Sequence, residues 1–487
     1  ILNSRLRTYM EDNSLISDLQ FGSRENRRTT DALFILKSAI DWHKKKSVPL
    51  YAAFIDFKKA FDMVWHDALL LKLSKIGIGG NFIKVIMDLY SGISSCVKIE
   101  NKRTEYFSCL KGVRQGDGLS STLYNLFIND IVDVMHMEDS DPFKIGNTSI
   151  GLLLYADDVV ILSSSKNGLQ KSLDKLGAYT KKWKLPINTS KSKILQFGKN
   201  KFEKFTFGEH EIETAKHIKY LGLVITSNGA FRQAINTLCK QASKSLWPLY
   251  GMFGSYGIDN IQSKLLLFDN LVKPIILYGS EVWHTDILPE EGIASIFKTN
   301  NKFYDAERLQ LRFLKQALKV PVSTTNLAVW SETGKYPIVF DVVKQQLKYF
   351  VRLESMPETA ILSKVHRELK MDSPNYTFNM VRKTFDAINL TIPHDLTDKR
   401  IRTKFLNLIA PYLNEFVDEI WYSILSTNDT KLRNYKLIKH CFEYESYLDT
   451  IHDPVKRAKL TRLRLSCHEL EIERGRYKGK HLEERLC

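Results

Sequence analysis

Long apolar runs are the first thing this sequence lacks. Its most apolar region, Leu265 to Leu277, is bordered by Lys264 and broken up by Asp269 and Lys273, so no segment offers the roughly 20 apolar residues that cross a bilayer. A secretory signal is not expected either, because Arg5, Arg7, Glu11 and Asp12 leave no apolar core at the amino end. Paired cysteine spacing is missing: Cys96, Cys109, Cys239, Cys441, Cys467 and Cys487 are scattered, and free thiols in a reducing compartment are the economical reading. There is no internal repeat and no low-complexity linker. Acidic residues are in deficit, 55 against 71 Lys and Arg, for a formal net charge of +16. That excess points to a polyanionic partner, nucleic acid ahead of a membrane surface. At 44% hydrophobic and 26% charged the composition is that of an ordinary soluble globular protein. A length of 487 residues is too much for one core, so two to four domains are expected.

What is present centres on Leu152-Leu153-Leu154-Tyr155-Ala156-Asp157-Asp158-Val159-Val160-Ile161-Leu162, two strand-like apolar runs pinched around adjacent carboxylates. Like charges beside apolar strands are costly unless a cation neutralises them, and hard divalent ions such as Mg²⁺ favour carboxylate oxygen. A solvated turn is the plain alternative, since Asp is common in turns. A third carboxylate breaks the tie. Tyr51-Ala52-Ala53-Phe54-Ile55-Asp56-Phe57 is another apolar strand. If it pairs with the hairpin, Asp56 completes a cluster for two metal ions, which stabilise both the attacking and the leaving oxygen of an in-line phosphoryl displacement.

Three stretches then fall in order: Phe54-Ile55-Asp56-Phe57-Lys58-Lys59-Ala60-Phe61-Asp62, Gly112-Val113-Arg114-Gln115-Gly116-Asp117 and Tyr155-Ala156-Asp157-Asp158. Together they resemble the ordered motifs of reverse transcriptases from non-LTR (LINE-type) retrotransposons, and the resemblance runs with decreasing strength from about Leu2 to the last residue. It implies an α+β fold: a right-hand polymerase palm with partial fingers, a helical thumb and a mostly α-helical C-terminal domain. The corresponding ranges are 1–50 for partial fingers, 51–228 for palm and remaining fingers, 229–285 for thumb and 286–487 for the helical remainder. The implied activity is RNA-directed DNA polymerase, with an RNA template, a DNA primer and deoxynucleoside triphosphates as partners, two Mg²⁺ ions as cofactor and no membrane. The expected location is intracellular, nuclear or cytoplasmic.

By the same resemblance, Asp56, Asp157 and Asp158 are the metal ligands. Phe61 is the side chain that blocks a ribose 2′-hydroxyl, while a buried core aromatic is its plain reading and is compatible with that role. Arg114, Gln115 and Gly116 line the nucleotide pocket on a glycine-flexed loop that opens onto a helix, where phosphate is favoured. Lys191 matches a proton donor to the departing pyrophosphate, with Lys193 as the alternative and a solvated lysine as the bland one. Arg24 and Arg28, with Arg27 beside them, are candidates for template phosphates against a solvated loop. Leu221 and Gly222 resemble the turn of a primer-grip hairpin, where glycine lets primer backbone pass close by.

Local patterning predicts helices through Ile40 capped at Thr29 or Thr30, from Met63 to Ile76 capped by Asp62, from Asn81 to Tyr90, from Ser120 to Val134, from Asn167 to Trp183 and from Ala230 to Gly254. The chain opens on Ile1 in what reads as a helix in progress, as in a fragment whose preceding finger segments, with their triphosphate-gripping basic residues, lie elsewhere. The tail from Arg462 resembles the lead-in to a Cys/His zinc module, but its two cysteines and two histidines lack zinc spacing and no zinc is expected. Two rivals remain: a degraded or domesticated copy that binds nucleic acid without catalysis, and an intron maturase of related fold.

Overall fold

The computed structural model describes residues 1–135, 140–198, 203–284, 305–372, 377–427, 432 and 434–485. The expected boundary between 285 and 286, and Cys487 in the tail, lie outside the described residues. The chain divides into two compact units, Ile1–Ala230 with Pro357–Asp372, and Phe231–Met356 with Ser373–Cys487.

The first unit is built on β1, Tyr51–Ile55, whose five residues are all buried. A strand apolar on both faces belongs inside a sheet, and here it lies third from one edge. The other strands are β2 (Leu152–Tyr155), β3 (Asp158–Ser163), β4 (Lys193–Gln196), β5 (Phe205–Phe207) and β6 (His210–Ala215), in the order β5-β6-β4-β1-β3-β2. β1 pairs antiparallel with β4, from Tyr51↔Gln196 to Phe54↔Lys193, and with β3, from Tyr51↔Ser163 to Ile55↔Val159. The helix α7, Lys166–Trp183, lays Leu169, Leu173, Leu176, Tyr179 and Trp183 into the core at helical spacing. Its start is fixed by Ser165, whose hydroxyl accepts from the Gly168 N–H. A second hairpin, β7 (His217–Tyr220) and β8 (Leu223–Thr226), turns at Leu221-Gly222. The helices α1 (Leu2–Asp12), α2 (Thr29–Lys46), α3 (His66–Lys75), α4 (Gly80–Tyr90), α5 (Ser120–Ile128) and α6 (Ile131–Met135) complete this part of the unit.

Three predicted helices differ from the sequence reading. The helix through Ile40 starts at Thr29 with Arg28 as its cap residue, not Thr29 or Thr30, and Asp31 accepts from the Arg28 N–H. The Met63–Ile76 helix begins only at His66, because Ala60–Met63 forms a 3₁₀ turn and Trp65 then bridges to Lys111. Asp62 is therefore not its cap; its Oδ1 accepts from Gln115 Nε2 at 3.1 Å. The Ser120–Val134 helix is broken after Ile128. Asn129 there bonds the Leu15 carbonyl and the Ser17 N–H, and Asp130 pairs with Lys72 at 2.7 Å.

The regular elements described in the second unit are helices, joined by loops and one isolated antiparallel bridge, Thr333 with Tyr444. The unit holds α8 (Arg232–Ser255), α9 (Ile261–Leu271) and further helices including Asp305–Ala317, Ile338–Glu354 and Lys399–Thr427. Phe268 stacks on Phe313 at 4.5 Å. The fully buried Glu332 carboxylate accepts from Tyr435 and Tyr447 hydroxyls at 2.9 and 2.8 Å and from Arg464 Nε at 2.6 Å. An α+β unit with a helical one is the fold class expected. No described helix is long and apolar enough to cross a membrane, and the five described cysteines carry free thiols.

Candidate active site

β2 and β3 pair down to Tyr155↔Asp158, leaving Ala156 and Asp157 as a two-residue turn. Carrying the β1–β3 register one residue past Ile55↔Val159 sets Asp56 opposite Asp158. The sheet thus brings Asp56, Asp157 and Asp158 to one end. Their charges act on one another. Burial pushes the Asp158 carboxyl up to about 6, and the charges of Asp157 and Asp56 add to it. Burial also raises Asp157, with Asp56 contributing in the same direction and a backbone hydrogen bond opposing.

Oxygen-rich carboxylates that destabilise one another are the donor set a hard divalent cation stabilises. Two buried hydroxyls without hydrogen-bond partners among the described residues, those of Tyr124 and Tyr220, feel the same charges. In kind the residues fit such an ion. As they stand, no group of three or more His, Cys, Asp or Glu among the described residues converges tightly enough to hold one.

The turn is strained and clamped. Ala156 sits at φ 53°, a region that costs a non-glycine residue roughly 1–2 kcal/mol. The buried Gln20 compensates: its Oε1 accepts from the N–H groups of both Ala156 and Gly22, each at 3.0 Å. Around it the chain joins the free edge of β2, with Phe21 N–H donating to the Leu154 carbonyl and Leu154 N–H to that of Leu19. Asn125 Nδ2 on α5 holds the Gly22 carbonyl at 2.8 Å. Only glycine fits at 22, since a Cβ there would stand 2.3 Å from the Ala156 nitrogen.

Asp56 is fixed from the other side. Its N–H donates to Ser192 Oγ at 3.0 Å and its carbonyl accepts from the Asn188 N–H at 2.7 Å. The loop so attached carries Lys191, which is exposed, while Lys193 pairs with Glu213. Phe61 is half-buried and stacks on Tyr124 at 4.6 Å, and its carbonyl accepts from the Val113 N–H. That bond ties the Gly112–Asp117 loop to the segment that follows Asp56. Arg114 donates to the Leu89 carbonyl, Gln115 reaches Asp62, and Gly116, at φ 87°, is exposed with open space around it.

Of the remaining expected residues, Arg24 is spent internally. It pairs with Glu11 at 2.7 Å and donates to the Ser17 and Gln20 carbonyls, with a side chain only 7% exposed, so it staples the clamp loop and offers no free cation. Arg27 is likewise paired with Asp18. Arg28 is exposed. Leu221 (φ 42°) and Gly222 (φ 83°) form the turn between β7 and β8, in the backbone conformation two-residue hairpins favour.

Residues 1–225 match the family described as reverse transcriptase (RNA-dependent DNA polymerase). Among curated proteins the chain is 27% identical over 295 residues to a probable RNA-directed DNA polymerase from transposon BS of Drosophila melanogaster, covering 58% of this chain and 32% of that protein. It is 31% identical over 214 residues to the Pol polyprotein from the type-1 retrotransposable element R2 of Nasonia vitripennis, covering 42% and 21%. It is 24% identical over 371 residues to the RNA-directed DNA polymerase from mobile element jockey of Drosophila funebris, covering 74% and 38%. The chain carries a non-LTR reverse transcriptase domain. It spans between about a fifth and two fifths of the length of these relatives. A solved telomerase from Candida tropicalis superposes with a TM-score of 0.35 at 14% identity, over 75% of this chain and 60% of that one.

Within this reverse transcriptase domain, the sequence reading missed Gln20, Gly22, Asn125, Tyr124 and Tyr220. The one signal available was the buried-type polar Gln20 between Leu19 and Phe21, followed at once by a glycine. Nothing in the local pattern of Tyr124 or Tyr220 distinguishes them from ordinary core tyrosines.

Proposed function

We propose that this chain is the RNA-directed DNA polymerase region of a non-LTR retrotransposon, adding deoxynucleotides to a primer 3′-hydroxyl by two-metal phosphoryl transfer. The observation that carries the reading is the register placing Asp56 opposite Asp158, beside a turn held by Gln20. Asp56, Asp157 and Asp158 would hold two Mg²⁺ ions, which on binding activate the attacking hydroxyl and neutralise charge on the departing pyrophosphate. Phe61, backed by the Tyr124 ring, would exclude a ribose 2′-hydroxyl. Gln115, Gly116 and Arg114 shape the nucleotide pocket on an open loop, and Lys191 delivers a proton to pyrophosphate. Leu221 and Gly222 receive the primer, and Arg28 is the remaining candidate for template phosphate in the basic loop. In this reading residues 1–50 are partial fingers, 51–228 palm, 229–285 thumb and 286–487 a helical C-terminal region.

The rival reading, binding without catalysis, draws on the carboxylates' failure to converge among the described residues. Primer extension on an RNA template, with Mg²⁺ and deoxynucleotides, separates the two. Extension by the parent and none by an Asp157→Ala/Asp158→Ala variant is the expected result. Retention of template by both with extension by neither overturns it in favour of the rival.

A further inference from the structure

Within the helical unit, α8 and the helix Asp305–Ala317 enclose an open cavity of about 310 Å³. Its lining combines three cations, Lys240, Arg308 and Arg312, against one carboxylate, Asp305, with two aromatics, Trp247 and Tyr250. Trp247 is 67% exposed, an unusual setting for the largest apolar side chain unless something covers it. Its ring stands edge-on to Tyr250 at 6.5 Å and 86°. Tyr250 in turn rests on Phe313, and its hydroxyl is buried with no hydrogen-bond partner among the described residues. Lys240 and Arg312 are exposed and enter no ion pair among the described residues, whereas Arg308 makes only a 3.3 Å surface contact with Asp305. Cys239 on the floor is no nucleophile, because burial pushes its thiol up to about 12.

A flat exposed ring, an orphaned hydroxyl and three cations around one cavity match a single ligand chemistry. A base supplies a π face and polar edges, and flanking phosphates supply the negative charge. We propose that this cavity is a binding site for an unpaired nucleotide of single-stranded nucleic acid, its base stacked on Trp247 and its phosphates held by Lys240, Arg308 and Arg312. A regular duplex hides its base faces and does not satisfy the ring. A solvated helix face would explain the cations but not the exposed tryptophan beside an unpaired buried hydroxyl. The site rests on the reverse transcriptase reading only in expecting nucleic acid to be present, and lies apart in sequence from every catalytic residue named above.

The test is fluorescence anisotropy of the full chain with labelled oligouridylate and oligothymidylate strands of about 15 nucleotides, beside a blunt duplex, all in EDTA so that catalysis plays no part. Trp247→Ala should weaken single-strand binding by between about 5- and 150-fold, the span of base–aromatic stacking. Trp247→Phe should restore most of it, and duplex affinity should stay within about twofold. An Arg308→Gln/Arg312→Gln pair should flatten the dependence of log K on log salt by about 1.4, two single-strand phosphate contacts. Absence of single-strand binding by the parent, or equal losses on strand and duplex, overturns the proposal. Failed primer extension with this binding pattern intact would count against the polymerase reading alone.

Discussion

The turn at Ala156-Asp157 and the loop Gly112–Asp117 belong to one reverse transcriptase domain but are held in opposite ways. Around the turn, contacts are close: Gln20 Oε1 bonds two N–H groups, Asn125 Nδ2 bonds the Gly22 carbonyl, and a methyl group at 22 has no room, while Gln20 Nε2 and Asn125 Oδ1 stay buried without partners among the described residues. Around the loop, Gly116 has nothing within 4 Å of an added Cβ, and Gln115 and Arg114 are exposed. Under the proposed function the contrast has a reason: groups that hold metal ions work only when fixed in advance, because misplacement by about 1 Å costs on the order of 100-fold in rate, whereas a loop that admits and releases a different nucleotide in every cycle works only with space around it.

The largest break in that contrast should come from Gly22→Ala. Its methyl group forces the Ala156 backbone away, and primer extension should fall about 100-fold with far-UV circular dichroism unchanged. Wild-type extension by this variant would mean the clamp is mere packing. Gln20→Leu should follow, since it strips two N–H groups of a buried partner at about 1–3 kcal/mol. A lowered urea midpoint together with a raised Mg²⁺ requirement would show it. Phe61→Ala, on the loop side, should forfeit the Tyr124 stack, about 0.5–1.5 kcal/mol, and raise ribonucleotide incorporation relative to deoxynucleotide by roughly tenfold, measured in competition. Gly116→Ala should cost only about 1 kcal/mol, from its φ of 87° and not from any clash, and a melting curve would reveal a larger loss.

A further effect is one of pH, at a site remote from the contrast. Lys72 is buried with its ammonium 3.8 Å from the Trp183 ring centroid and 2.7 Å from Asp130, and burial lowers it to about 8. The folded chain releases this proton more readily than the unfolded one. Stability from this group should therefore rise as pH climbs from about 8 toward the ordinary lysine value of 10.5. Urea titrations across that range would detect the rise, and Lys72→Met should abolish it.

Much of the site was legible in the sequence because its chemistry is concentrated in short stretches. Asp56 ends an apolar run, Asp157 and Asp158 interrupt another, and both features follow from strand burial next to charge. The clamp was not legible, since Gln20 and Ala156 meet across 136 residues and neither is unusual where it stands. Arg24 is the converse case. Its basic loop suggested phosphate, yet Glu11 and two carbonyls take up its guanidinium, and only the fold brings them within reach. The helix ends at Met63 and Val134 failed for a related reason: Trp65 and Asn129 take partners from distant segments that override local helical preference.

By itself, then, the sequence determined the α+β class, the strands that carry the carboxylates and the helical nature of the remainder, because apolar periodicity and charge are local properties. Tertiary structure decided which strand neighbours which, how Ala156 is kept in a costly conformation, and which arginines are consumed internally. Those outcomes depend on hydrogen bonds and steric contacts between residues far apart in the chain, and no local pattern records them.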